Sequence, residues 1–305
     1  MSRTADLLKR LSSGGITIPE KVKKAMLNLA IESFTDYDCD AFYADRPVPY
    51  IETENGNVKT ISAPHMIITL LHHMELNEGQ EIIVIGSKGG YLAALIAMII
   101  GEDGRVKVLD PSSEVINHAG DKLSHWPTIE LRVLEDIDIA PVAFPGEFTR
   151  VLITGQINDI PPWIKSRVSD SGFIIAPIGD LNSQKLIKLE NQDSAFLETD
   201  LGHVCFGPIN VDEKIPSNVS PKEFADLIER AVETCEELEI IEHDELNSLL
   251  DLVAKLNNLP DDTAPIGEGG IPISQHPMVK LLWHHSPSFL CLLYTSDAAD
   301  ECHSV

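Results

Sequence analysis

Residues 81–91, EIIVIGSKGGY, constrain the fold more than any other stretch of this chain. Four apolar residues, Ile82 to Ile85, are too few for a buried helix and suit a strand covered on both faces. Gly86, Gly89 and Gly90 then supply a tight turn, because glycine enters the left-handed backbone region at little cost. From Tyr91 the run YLAALIAMII is apolar throughout and reads as a buried helix. Strand, glycine turn and helix in this order form the first βα unit of a nucleotide-binding sheet. The next strand, RVKVLDP, ends in Asp110, where an acid accepts hydrogen bonds from ribose hydroxyls. The glycine spacing is G-x-x-G-G, not the G-x-G-x-x-G that cradles a dinucleotide pyrophosphate, which weakens a NAD reading and leaves a ligand-free tight turn as the other alternative.

The alternation continues down the chain. TIELRVLED predicts a third strand ending near Asp136, FTRVLITG a fourth, IPPWIKSRV a helix opened by prolines, and GFIIAPIG a fifth. Such a βαβα order implies a mostly parallel sheet with both faces covered. QKLIKLEN and HVCFGPIN follow without a helix between them and predict an antiparallel pair at one edge.

Charge and composition exclude several classes of function. Lys and Arg number 23 against 48 Asp and Glu, a net charge of −25, and such a field repels phosphate backbones and anionic lipid. Nucleic acid is not an expected partner. The longest apolar run, Tyr91 to Ile100, is about half the ~20 residues a membrane crossing needs, and the N-terminal MSRTADLLKRL interleaves charges with Leu7, Leu8 and Leu11 unlike a signal peptide. A cytoplasmic location is expected. Cys39, Cys205 and Cys235 lie far apart without C-x-x-C spacing, against a disulfide framework and against zinc. His72 and His73, being adjacent, point to different sides of a helix and complete no ligand set, so no metal is expected.

Taken together, FYADRPVP, TISAPHM, IIVIGSKGGYLAA, VKVLDP, RVLITG, IPPWIKSRVSDSGFIIAPIG and LGHVCFGPI resemble the protein-L-isoaspartate O-methyltransferase family in order and spacing, over roughly residues 25–212. TISAPHM is the most specific of these segments. The resemblance implies a Rossmann-like, S-adenosylmethionine-dependent methyltransferase fold that esterifies isoaspartyl carboxyls of damaged proteins. Collapse of the ester to a succinimide and its hydrolysis then return some normal aspartate. By the same resemblance Ser62 is the active-site residue that hydrogen-bonds the acceptor carboxylate. Thr60 and Ile61 shape the adjoining pocket, and Asp45 lies near the substrate. Gly86, Ser87, Gly89, Gly90, Tyr91, Asp110 and Asp136 hold the cofactor.

Two of these residues also have structural readings. Ser62 is placed to cap a helix starting at Pro64, and Asp45 could be a solvated acid in a proline-rich loop. His65 is read as a helix-packing residue rather than a general base. Two departures from the family pattern stand out: Val84 replaces an acid at the end of the first strand, and Lys88 replaces the middle glycine. They support an alternative reading as a catalytically silent relative with a decayed cofactor pocket, kept for binding or structure.

The expected organisation has four parts. Residues 1–78 form an N-terminal helical, substrate-facing segment, and residues 79–212 the Rossmann-like cofactor-binding domain. Residues 213–290 form an acidic α-helical extension and linker. Between Glu213 and Lys280 there are fifteen acids and five bases, and two amphipathic helices are expected there, the first capped by Ser220. Residues 291–305 contain CLLYTSDAADE, which is similar to a one-frame translation of a sequencing-library transposon adapter. They are read as an artefact outside the fold, with the natural chain expected to continue beyond Leu290.

Overall fold

The computed structural model describes residues 2–54, 58–141, 146–180, 183–193, 195–209, 220–237, 243–260, 263 and 276–285. The chain divides into two compact units with the boundary between Asp212 and Glu213. The expected artefact at residues 291–305 lies outside the described residues.

In the first unit, α1 (Arg3–Ser13), α2 (Glu20–Asn28) and α3 (Asp40–Tyr43) precede a hairpin of β1 (Val48–Glu52) and β2 (Val58–Ile61). Then come α4 (Pro64–His73), β3 (Glu81–Ile85), α5 (Tyr91–Ile100), β4 (Arg105–Asp110), α6 (Ser113–Lys122), β5 (Ile129–Val133), β6 (Phe148–Ile153) and α7 (Pro162–Lys165). The long strands β7 (Val168–Asp180), β8 (Ser183–Gln192) and β9 (Ala195–Val204) complete the unit.

Seven strands make one sheet in the order β5-β4-β3-β6-β7-β8-β9. Pairing is parallel from β5 to β7 and antiparallel from β7 to β9. Chain order reverses on either side of β3, which places a topological switch point at the C-terminal ends of β3 and β6, where ligands bind in open α/β sheets. Successive residues of β3 enter opposite layers. Ile82 and Val84 join the core under the N-terminal helices, α5 and α6, while Ile83 and Ile85 join the core that includes Ile164 of α7. This alternation is why EIIVI reads as continuously apolar.

Three expectations need correction. The antiparallel edge pair is β8 with β9, so its outer strand is Ala195–Val204, and only the first two residues of HVCFGPIN belong to it. The helix in IPPWIKSRV is a single turn, Pro162–Lys165, because Val168 already begins β7. The third strand stops at Val133, with Asp136 in the turn beyond it.

The second unit contains α8 (Pro221–Glu237), α9 (His243–Asn257) and α10 (Pro277–His285). Ala225, Ile228, Val232, Leu252, Val253, Leu256, Met278 and Leu282 bury a core of their own. The expected cap is present: Glu223 N–H donates to Ser220 Oγ at 3.3 Å, and Ser220 N–H donates to Glu223 Oε2 at 2.8 Å. These reciprocal bonds satisfy two amide donors that the helix start would otherwise leave open. The same bonds hold the Glu223 carboxyl below its usual range. Helix α10 was not expected; it begins at Pro277, the last residue of the stretch 265–277 read as linker, most of which lies outside the described residues.

Candidate functional site

The glycine turn after β3 has positive φ at four of its five residues, all but Ser87, whose φ is −80°. Gly86 has φ 97°, Lys88 45°, Gly89 67° and Gly90 88°. The turn is tied to β4 at two points. Gly86 N–H donates to Leu109 O at 2.7 Å, and Ser87 N–H donates to Asp110 Oδ2 at 2.8 Å. The other oxygen, Asp110 Oδ1, accepts from Ser112 N–H at 3.0 Å, and Ser112 Oγ in turn caps α6 by accepting from Val115 N–H. One buried carboxylate, 6% exposed, therefore fixes both the turn and the start of the following helix.

Side chains close tightly around this turn. Thr154, just after β6, donates through Oγ1 to Gly86 O at 3.0 Å. The Tyr50 ring lies flat enough against Gly89 that a methyl there would come within 2.9 Å of its Cγ, and His118 of α6 packs on the same ring at 5.1 Å. Burial lowers the His118 pKa, partly opposed by its contact with Phe34 O. Between Tyr50, Lys59, Ser87, Lys88, Asp110 and Ile209 a cavity of about 20 Å³ remains, room for about one water. Ser87 Oγ is buried on its wall without a hydrogen-bond partner among the described residues.

The TISAPHM segment joins this site through β2, which packs on Lys88–Gly90. Lys59 enters the cavity wall, Thr60 and Ile61 finish the strand, and Ser62 follows, 4% exposed. Thr60 Oγ1 is buried without a hydrogen-bond partner among the described residues. Helix α4 starts at Pro64 as expected, yet its N-cap is Ala63 and no side chain at that position caps it, so the capping reading of Ser62 is not what forms. Asp45 supplies the cap from twenty residues away: its Oδ1 accepts from His65 N–H at 2.9 Å and its Oδ2 meets His65 Nδ1 at 3.0 Å. Asp45 does this with φ 61°, a conformation that costs a non-glycine residue energy and persists where its surroundings require it. Asp45→Ala should destabilise the protein by about 1 kcal/mol through the lost cap. Asp45→Gly should lose less, since it relieves the φ; thermal melts of the two variants test the difference.

Other expected cofactor residues lie apart from the cavity. The Tyr91 ring makes edge contacts with Phe34 and Phe42, with centroids 5.3 and 5.7 Å away, and burial pushes its phenol pKa up. Asp136 accepts from Asp138 N–H in its own turn. Neither lines the cavity. Sequence reasoning missed Tyr50, Lys59 and Thr154. Lys59 carried a usable signal, a lysine inside a short β-branched strand; the other two carried none. No group of three or more potential metal ligands occurs among the described residues.

Comparison with known proteins fits this geometry. The family model for protein-L-isoaspartate(D-aspartate) O-methyltransferase matches residues 2–214. The protein-L-isoaspartate O-methyltransferase of Methanococcoides burtonii is 26% identical over 204 residues, 67% of this chain and 97% of that one. That of Methanosarcina mazei is 29% identical over 64% of this chain and 79% of that one. Two solved structures share the fold. One is a Plasmodium falciparum protein described as a protein-L-isoaspartate O-methyltransferase, in complex with S-adenosyl-L-homocysteine (TM-score 0.59, 21% identity, 69% of this chain and 99% of that one). The other is a protein-L-isoaspartate O-methyltransferase (TM-score 0.61, 18% identity, 74% of this chain and 70% of that one). With the family model spanning the whole first unit, from the N-terminal helices to the strand pair at the sheet edge, the chain belongs to the protein-L-isoaspartate(D-aspartate) O-methyltransferase family.

Proposed function

We propose that this protein is an S-adenosylmethionine-dependent carboxyl methyltransferase acting on L-isoaspartyl residues of damaged proteins. The observation that carries the reading is the junction of β2 with the glycine turn, which makes TIS and the nucleoside-binding end of the sheet one construction. The donor set suits the cofactor's nucleoside. Asp110 stands at the end of β4 with a carboxylate for the ribose, and Ser87 Oγ is a buried hydroxyl without a partner among the described residues. Gly86 lines the cavity without a Cβ, while Gly89 leaves room for the Tyr50 ring and Gly90 for Leu123. The volume suits it only once side chains move, since about 20 Å³ holds no nucleoside. Tyr50 on the hairpin and Lys88 on the turn are the groups whose displacement enlarges it.

When bound, S-adenosylmethionine supplies a sulfonium methyl that passes to a carboxylate oxygen, the S–CH₃ bond breaking as the O–CH₃ bond forms and leaving a thioether and a methyl ester. The acceptor is already an anion, so the protein needs no general base. Its own residues have to position the acceptor and exclude water. Ser62 Oγ donates to the acceptor carboxylate and orients it, while Thr60 and Ile61 wall the pocket beside it. The substrates on this reading are isoaspartyl proteins and peptides. Nucleic acid is disfavoured by the charge of −25, and the site of action is the cytoplasm. No described helix is long and apolar enough to cross a membrane.

Transfer of labelled methyl to an isoaspartyl peptide, with the normal aspartyl peptide as control, tests the activity. No base-labile incorporation above the control would leave the catalytically silent reading in its place. Ser62→Ala should lower kcat about tenfold, the worth of one hydrogen bond to a charged group, while S-adenosylhomocysteine affinity stays nearly unchanged. Equal loss of both would assign Ser62 to folding.

A further inference from the structure

Resting on that reading, we propose that His65, held by Asp45, is a positioning residue for Ser62: their side-chain contact fixes the short link between β2 and α4 on which the acceptor-holding hydroxyl rides. Strand β2 ends at Ile61 and α4 begins at Pro64, so Ser62 and Ala63 are the whole of that link. Its upstream end is held by the hairpin, where Ile61 pairs with Val48 and Thr60 with Pro49. Its downstream end has no side-chain cap at Ala63. Asp45 takes that place from the loop after α3, and it meets His65 twice, at the backbone N–H over 2.9 Å and at Nδ1 over 3.0 Å. A carboxylate only accepts hydrogen bonds, so Nδ1 is the ring nitrogen that donates to it.

The backbone on both sides of this contact is itself tied down. Asp45 keeps its φ of 61° just beyond α3, where its N–H donates to Phe42 O at 3.0 Å and the Arg46 N–H donates to Ala41 O at 2.9 Å. On the helix side, Thr69 Oγ1 donates to His65 O at 2.9 Å. Strained backbone persists where its surroundings over-determine it, and it gathers at functional sites. The bond to the His65 N–H alone satisfies the cap. The bond to the ring gives the contact a second point, and two points fix an orientation where one fixes only a distance. Orientation is what the acceptor needs, since a misplacement of about 1 Å can cost about a hundredfold in rate.

Steady-state kinetics of the full chain with an isoaspartyl peptide tests this. His65→Ala keeps the backbone N–H and with it the cap, and it should lower kcat about tenfold, the worth of one hydrogen bond to a charged group. Its Kd for S-adenosylhomocysteine and its circular dichroism should stay as in the wild type. His65→Phe retains a ring and should lose as much. His65→Asn places an amide N–H where Nδ1 stood and should restore most of the rate. Because His65 acts through Ser62, the double variant Ser62→Ala with His65→Ala should be no slower than Ser62→Ala alone. A role in stability alone would show as a lower melting temperature at the wild-type kcat, and that result would overturn the proposal. So would additive losses in the double variant, or His65→Phe turning over at the wild-type rate. Absence of methyl transfer by the wild type would instead overturn the methyltransferase reading itself, and this proposal with it.

Discussion

Asp110→Ala is expected to weaken S-adenosylhomocysteine binding by roughly ten- to a hundredfold, the worth of charge-assisted hydrogen bonds to one carboxylate. The loss has two sources. On the proposed reading the ribose hydroxyls lose their acceptor, and the unliganded cradle loosens as well. Ser87 N–H and Ser112 N–H both donate to this side chain, and Ser87 is fully buried, so its amide is left without an acceptor at a cost of about 2 kcal/mol. Asp110→Asn retains one oxygen and should lose less on both counts. Calorimetry gives the affinity and a denaturant titration the stability. A variant that binds as the wild type does would show that the turn is not the cofactor site.

Gly86→Ala should be among the most damaging small substitutions in the first unit, destabilising it by about 3 kcal/mol through strain at positive φ plus overpacking. The backbone at φ 97° disfavours any side chain, and the added methyl would sit 2.1 Å from Thr154 Oγ1. Thr154 cannot withdraw freely, because its hydroxyl is bonded to Gly86 O and its N–H to Ile85 O. The double variant Gly86→Ala with Thr154→Ala should therefore be less unstable than the two singles predict, the clash being shared between them. Additive losses would assign the whole effect to the backbone.

What could be read from the sequence was what local chemistry dictates. The β3–turn–α5–β4 unit follows from an apolar run, three glycines and an acid, and Asp110 was placed correctly because a strand end is a local property. Ser220 and Glu223 were legible for the same reason, since the capping box lies within four residues. The hairpin of β1 and β2 was not legible: VPYIE contains a proline and pairs with VKTI across a polar loop, so neither half shows a strand signal alone. The neighbouring Ser62 was one candidate for the cap of α4, which comes instead from Asp45, through a loop fold that no spacing rule encodes. The narrowness of the cavity depends on where the Tyr50 ring and Lys88 pack, which is a matter of tertiary contact. Tyr50 and Thr154, the site residues with no sequence signal, reach the cavity only through contacts with residues far away in the chain.

The outer strand β9 gives the acidity of this chain a local meaning. It ends the sheet order and is exposed along nearly its whole length, with Phe196 and Leu197 partly open to solvent. An open, partly apolar edge is a template for pairing with another molecule's strand. Glu198 and Asp200 follow directly, Asp200 paired with Lys185 at 2.7 Å, and that ion pair holds the Asp200 carboxyl below its usual range. Two copies brought together along β9 would set the carboxylates of this edge side by side. Colloidal solubility is then written in part into the strand itself, and it should fail first near pH 4.6, where the molecule's net charge vanishes.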